Sequence, residues 1–171
     1  MKKLLIAAAI TISFAGAVNT ASASNGDVQF IGAVTSVTCD LQPEVSGAVG
    51  ATVQLGTVEA SGTGSAVEFS LKTVAGQAGC ASLTGKTATI TWAGNLTAQG
   101  VGNQGGRATD AWVELKGVNS AATTPVTASS SRVEFEGNKI NSEGAKFTAA
   151  LKAGTAVGDF KSVTAFVVAY N

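Results

Sequence analysis

Gly100-Val101-Gly102-Asn103-Gln104-Gly105 matches by letter the G-x-G-x-x-G turn that cradles a dinucleotide pyrophosphate. That chemistry needs a buried parallel strand before the turn and a helix after it, whose first N–H groups hold the phosphates. Polar Thr97-Ala98-Gln99 precedes this stretch, and Gly106-Arg107-Ala108-Thr109-Asp110 follows with no helical apolar period. It reads as a flexible glycine-rich loop. Glu134 and Glu136 flank Phe135 and fall on one face of a strand. Paired carboxylates do acid–base work only in a cleft that drives their pKa values apart. Alternation with Val133 and Phe135 puts these two on a solvated outer face instead. The chain has no histidine, which removes Ser-His-Asp and Cys-His nucleophile systems. Two cysteines alone cannot complete a tetrahedral zinc site. No enzyme, cofactor or metal is expected.

The remaining reactive pair is Cys39 and Cys80, and its chemistry depends on the compartment. Lys2 and Lys3 precede an apolar run from Leu4 to about Val18, and Ala21-Ser22-Ala23 supplies small residues at a cleavage position. This order is that of a secretory signal peptide over residues 1–23, and the run is too short for a membrane span. Cleavage after Ala23 leaves 148 of the 171 residues, with nine bases against eleven acids and a net charge of −2. No basic cluster points to nucleic acid or an anionic membrane. In an oxidising compartment Cys39 and Cys80 are expected to form a disulfide rather than two free thiols. Closing a loop of that length stabilises a fold by about 4 kcal/mol in the chain-entropy model.

The elements that must position these residues are strands. Apolar residues alternate in short runs: Val28, Phe30 and Val34; Val53 and Leu55; Val67, Phe69 and Leu71; Ala88, Ile90 and Trp92. The pattern continues at Val113 and Leu115, Val133 and Phe135, Phe147, Ala149 and Leu151, and Phe166, Val168 and Tyr170. No segment sustains a period of 3.6, and none repeats another. Short strands with Gly-rich turns predict an all-β sandwich or barrel in one domain. The stretches 94–110 and 117–131 read as surface loops.

Several of these segments resemble the subunits of chaperone–usher fimbriae, with the K99-type major subunits as the nearest likeness. Gly26-Asp27-Val28-Gln29-Phe30-Ile31-Gly32-Ala33-Val34 resembles the family's G-x-V-x-F-x-G segment, with Thr38-Cys39 a short distance on. Thr52-Val53-Gln54-Leu55-Gly56 resembles its T-V-x-L-G strand, and Val67-Glu68-Phe69-Ser70-Leu71 leads toward Cys80. Family members end in an alternating strand with a penultimate tyrosine and a glycine fourteenth from the end. Phe166, Val168, Tyr170 and Gly158 match that pattern. The strand departs from it in being apolar on its second face too, with Val163, Ala165, Val167 and Ala169.

The resemblance implies an incomplete immunoglobulin-like β-sandwich that lacks its last strand and is completed by a donor strand from a neighbouring subunit. Residues 24–36 would then be an N-terminal donor extension and 37–171 the pilin domain. Val28, Phe30, Gly32 and Val34 would enter a neighbour's groove, with Gly32 where the backbones come close. Gly158, Phe166, Val168 and Tyr170 would belong to the strand that borders the groove and meets a periplasmic chaperone. An exposed apolar edge needs such a partner, since it otherwise aggregates. The implied partners are other subunits, that chaperone and an outer-membrane usher, and the implied place is a fimbria on the bacterial surface. The alternative is a minor or tip subunit that acts as an adhesin for a host glycan receptor; in a shaft subunit that itself binds a receptor, the loops near Trp112 and Arg132 could supply an aromatic face and a cation.

Overall fold

The computed structural model describes residues 31–171. The proposed signal peptide and the donor residues Val28 and Phe30 lie outside the described residues. Leu41–Val45 (β1) and Ala48–Val49 (β2) form a hairpin whose turn residues Ser46 and Gly47 both have positive φ, 52° and 83°. Two consecutive positive φ angles match the right-handed twist of the flanking strands. Val67–Thr73 (β3) is followed by a 3-10 turn over Ala78–Leu83 and by Thr87–Gly94 (β4). Then come Val101–Gly102 (β5), Trp112–Gly117 (β6) and Arg132–Glu136 (β7). A short helix, Gly137–Glu143 (α1), precedes Ala145–Lys152 (β8) and Thr164–Tyr170 (β9).

The strands form two antiparallel sheets. One runs β2-β1-β3-β8-β6-β5 and the other β7-β4-β9. Alternation dictates their faces. In β7, Val133 and Phe135 are buried while Arg132, Glu134 and Glu136 are exposed, so the two carboxylates face water. In β4, Ala88, Ile90 and Trp92 are buried between solvent-side threonines. The inner faces meet in an aromatic cluster. Phe147 stacks on Phe69 at 5.5 Å, and the Trp92 ring stands edge-on to Phe147 at 5.2 Å. Phe135 closes on Phe147 at 5.3 Å. Such pairs add about 0.5–1.5 kcal/mol each beyond the area they bury.

Three expectations need correction. Val53 and Leu55 alternate, and both pack on the core, but residues 51–58 join no ladder among the described residues. That segment has no regular secondary structure, and Gly56 within it has a positive φ of 73°. The stretch 94–110 is not a loose loop: β5 lies within it, and Gly100, Val101 and Gly102 are buried. A side chain at Gly100 would collide with the Val113 carbonyl and the Trp112 ring, so this glycine serves close packing. Helix α1 escaped the periodicity reading because its seven residues bury only Gly137 and Ile140.

Candidate functional site

The candidate site is a strand edge. β9 is bonded along one side to β4, with Ala88 opposite Tyr170, Ile90 opposite Val168 and Trp92 opposite Phe166. Thr87 and Asn171 exchange both hydrogen bonds, each at 3.0 Å. Bonded and non-bonded pairs alternate along an antiparallel ladder. The pairs that exchange bonds are therefore Thr89 with Ala169, Thr91 with Val167 and Ala93 with Ala165. The N–H and C=O groups of Thr164, Phe166 and Val168 point away from β4. Among the described residues no backbone group pairs with them.

Beside that edge lies an open cleft of about 910 Å³. Its floor is apolar: Phe69, Trp92, Val113, Leu115, Ala149 and Leu151. One wall is the unpaired segment Ala51–Val58, and the other is the stretch from Ala156 to Thr164 that feeds β9. Phe166 and Val168 are half-buried and turn toward the core, with Phe166 5.6 Å from Trp92. The inward face of β9 is therefore the Phe166–Val168–Tyr170 face. A separate, smaller hollow of about 320 Å³ lies farther along β9, between Phe166, Val168 and Tyr170 and the segment 37–41. An apolar cleft beside the unpaired edge of β9 offers both a hydrophobic floor and free backbone groups to an added strand.

The wall before β9 is braced by residues that local sequence patterns did not single out. The Asn103 carboxamide oxygen accepts from Lys161 N–H at 3.2 Å, and Gln104 Oε1 accepts from Val163 N–H at 2.7 Å. Asp110 accepts from Thr155 N–H at 2.8 Å, from the Thr155 hydroxyl at 3.0 Å and from Ala156 N–H at 3.1 Å. Those bonds, the Thr155 N–H first, hold the Asp110 carboxyl below its ordinary pKa. Gly158 lies in this wall, before β9 begins, with φ 147° and no room for a side chain beside Arg107. Its place is thus a backbone conformation that suits glycine, not a position in the strand.

The far end of β9 is closed. Tyr170 is 1% exposed, and its hydroxyl donates to the Cys39 carbonyl at 2.9 Å. Burial, aided by the negative charge of Asp40, pushes the Tyr170 pKa up to about 12. Cys39 is bonded to Cys80, joining the start of the domain to the 3-10 turn. Asn141 Nδ2 of α1 donates to the Cys80 carbonyl at 2.8 Å. At this end the segment before Cys39 runs out to the surface, where residues 31–34 are exposed, Val34 to 98%. Gly32 meets nothing within 4 Å. The structure does not bring the two proposed glycan contacts onto one sheet, since Trp112 lies on β6 and Arg132 on β7. Among the described residues no cluster of ligating side chains could hold a metal ion.

No family model matches the chain. Known proteins do. Over 172 residues, covering the whole of both chains, it is 48% identical to the F107 fimbrial protein of Escherichia coli. It is 40% identical over 103 residues to the K99 fimbrial protein of E. coli, a match that covers 60% of this chain and 55% of that one. Its fold is similar to the crystal structure of the P pilus rod subunit PapA, with a TM-score of 0.54 at 18% identity. That match covers 86% of this chain and 100% of the other.

Proposed function

Because this chain belongs to the family of fimbrial subunits, we propose that it polymerises by strand exchange, each molecule filling its neighbour's groove with its N-terminal extension. The protein is a structural subunit, and its destination is the surface fimbria. The observation that carries the mechanism is the free edge of β9 beside an apolar cleft. Residues 24–36 are the proposed donor, with Val28, Phe30 and Val34 turned inward and Gly32 at the closest backbone approach. Burying three such side chains contributes roughly 1.5–3 kcal/mol each, and the ladder along Thr164, Phe166 and Val168 adds its hydrogen bonds.

The geometry favours one direction for the donor. A donor running parallel to β9 would bring its own domain to the Tyr170 end, where the acceptor's extension already leaves. An antiparallel donor brings its domain to the Thr164 end instead. Each subunit then receives a strand at one end and offers one at the other. That contact is head-to-tail, and it generates an open filament rather than a closed ring. Before assembly the same edge needs cover, which a periplasmic chaperone would supply by lending a strand, with handover at an outer-membrane usher.

Phe166→Asp tests the groove. It places a carboxylate against the Trp92 ring, where burial of an unpaired charge is costly. The expected result is loss of the co-purifying chaperone together with loss of fibres. Normal fibres from this variant would remove the groove from the mechanism.

A further inference from the structure

A subunit that carries both a groove and a strand to fill one must keep the two apart. The structure shows where they come closest. Ser36 N–H donates to the Tyr170 carbonyl at 3.2 Å, and the Ser36 hydroxyl donates to the same oxygen at 2.9 Å. Tyr170 N–H donates back to Thr35 Oγ1 at 2.8 Å. These Tyr170 groups belong to the side of β9 that faces away from β4, the side an incoming strand would use. The extension thus begins on the acceptor edge itself.

We infer that Thr35 and Ser36 form a clasp on Tyr170 that keeps a subunit's own extension out of its own groove, an inference resting on the strand-exchange reading above. The bond from Ser36 N–H to the Tyr170 carbonyl is the first rung of a parallel ladder. In such a ladder each residue accepts from one neighbour and donates to the carbonyl two positions earlier on the partner strand. Tyr170 N–H would therefore donate to the carbonyl of Val34. The Thr35 hydroxyl takes that place, so the ladder stops after one rung, and Val34 turns into solvent with 98% exposure.

The rung also fixes a register that does not suit filling. Continued along β9, it would set Thr35 opposite Tyr170, Ala33 opposite Val168 and Ile31 opposite Phe166. Opposed residues share a face of the sheet, so Gln29, Ile31 and Ala33 would point inward. Val28, Phe30, Gly32 and Val34 would point out of the slot. A shift of one residue is needed to reverse this, and the clasp opposes the shift. A strand from another molecule carries no rung fixed in advance and can take the register with its apolar side chains inward. Thr35 and Ser36 are positioning residues for assembly: they bias each extension toward a neighbour.

The test uses refolded, chaperone-free mature subunit and a synthetic peptide of residues 26–36, with uptake followed by native mass spectrometry. Thr35→Val removes the oxygen that ends the ladder, and Thr35→Ser keeps it. With that oxygen gone, Tyr170 N–H is free to bond the Val34 carbonyl, the ladder runs on, and the extension lies along its own groove. Peptide uptake should then slow about tenfold in Thr35→Val, a change of ~1.4 kcal/mol, the net worth of one hydrogen bond. Thr35→Ser should keep the wild-type rate. Deleting residues 24–34 from Thr35→Val should restore fast uptake, because no extension remains to compete. Equal uptake by wild type and Thr35→Val would overturn the clasp. So would slow uptake that persists after the deletion, since the groove itself would then be damaged. No uptake by any form, wild type included, would remove the strand-exchange reading and the clasp with it.

Discussion

Tyr170 is the chain's one tyrosine, so its ionisation can be followed directly as tyrosinate absorbance at 295 nm without assignment. Its side chain is buried at the end of β9, donates to the Cys39 carbonyl at 2.9 Å and faces the charge of Asp40. Each feature disfavours the phenolate: burial removes its solvation, the hydrogen bond needs the proton, and Asp40 repels negative charge. The folded subunit should titrate with a midpoint of about 12, against 10.0 for the unperturbed phenol. A phenol whose pKa is raised by folding stabilises the native state in its neutral form. That contribution is complete below the unfolded pKa near 10 and is lost as pH climbs through the folded value near 12. Screening by solvent at the domain edge limits it to about 2 kcal/mol. Tyr170→Phe should cost about 1–2 kcal/mol at neutral pH, because the Cys39 carbonyl loses its donor. The same substitution should flatten stability between pH 10 and 12. A folded wild-type subunit that titrates near 10, or a Tyr170→Phe variant as stable as wild type, would refute the anchoring of β9 to Cys39.

Two further predictions bear on the same framework. The double substitution Cys39→Ala, Cys80→Ala removes the bond that closes a 41-residue separation. By the chain-entropy relation it should lower unfolding free energy in urea by about 4 kcal/mol, and a loss below ~1 kcal/mol would contradict that assignment. Gly32→Leu should leave solubility and chaperone binding unchanged, because a side chain there meets nothing in its own domain. It should abolish fibres through the neighbour's groove, and a normal fibre yield would take Gly32 out of the donor strand.

Much of this fold was legible as alternation. The runs at Val67–Leu71, Ala88–Trp92, Val133–Phe135 and Phe166–Tyr170 each lie within a strand with the expected face inward. Alternation reports which side is buried, not whether a backbone neighbour exists, which is why residues 51–58 looked like a strand and pair with none described. β1 was missed because Pro43 interrupts its pattern, yet Pro43 is accommodated between β2 and β3 opposite Leu71. The groove was legible only at its edge. Phe166, Val168 and Tyr170 could be placed by spacing, whereas the brace from Asn103, Gln104 and Asp110 joins residues 45 to 59 positions apart. No local pattern encodes contacts of that span. The Thr35–Tyr170 bond spans 135 positions and was hidden for the same reason.

The central claim is that subunits join by filling one another's grooves, and one rearranged chain tests it. Residues 24–34 are deleted, which keeps Thr35 and Ser36, and residues 26–36 are appended after Asn171 through a short flexible linker. Because β9 ends beside the groove, the appended segment can turn back along it as an antiparallel hairpin strand. Closing so short a loop costs little entropy, and the tethered strand sees its site at an effective concentration in the millimolar range. Size-exclusion chromatography and thermal melting without chaperone give the readout. Strand exchange predicts a monomer that forms no fibres and melts well above the chaperone-free wild-type subunit. A rearranged chain that aggregates, beside a wild-type subunit that is a stable monomer alone, would contradict it.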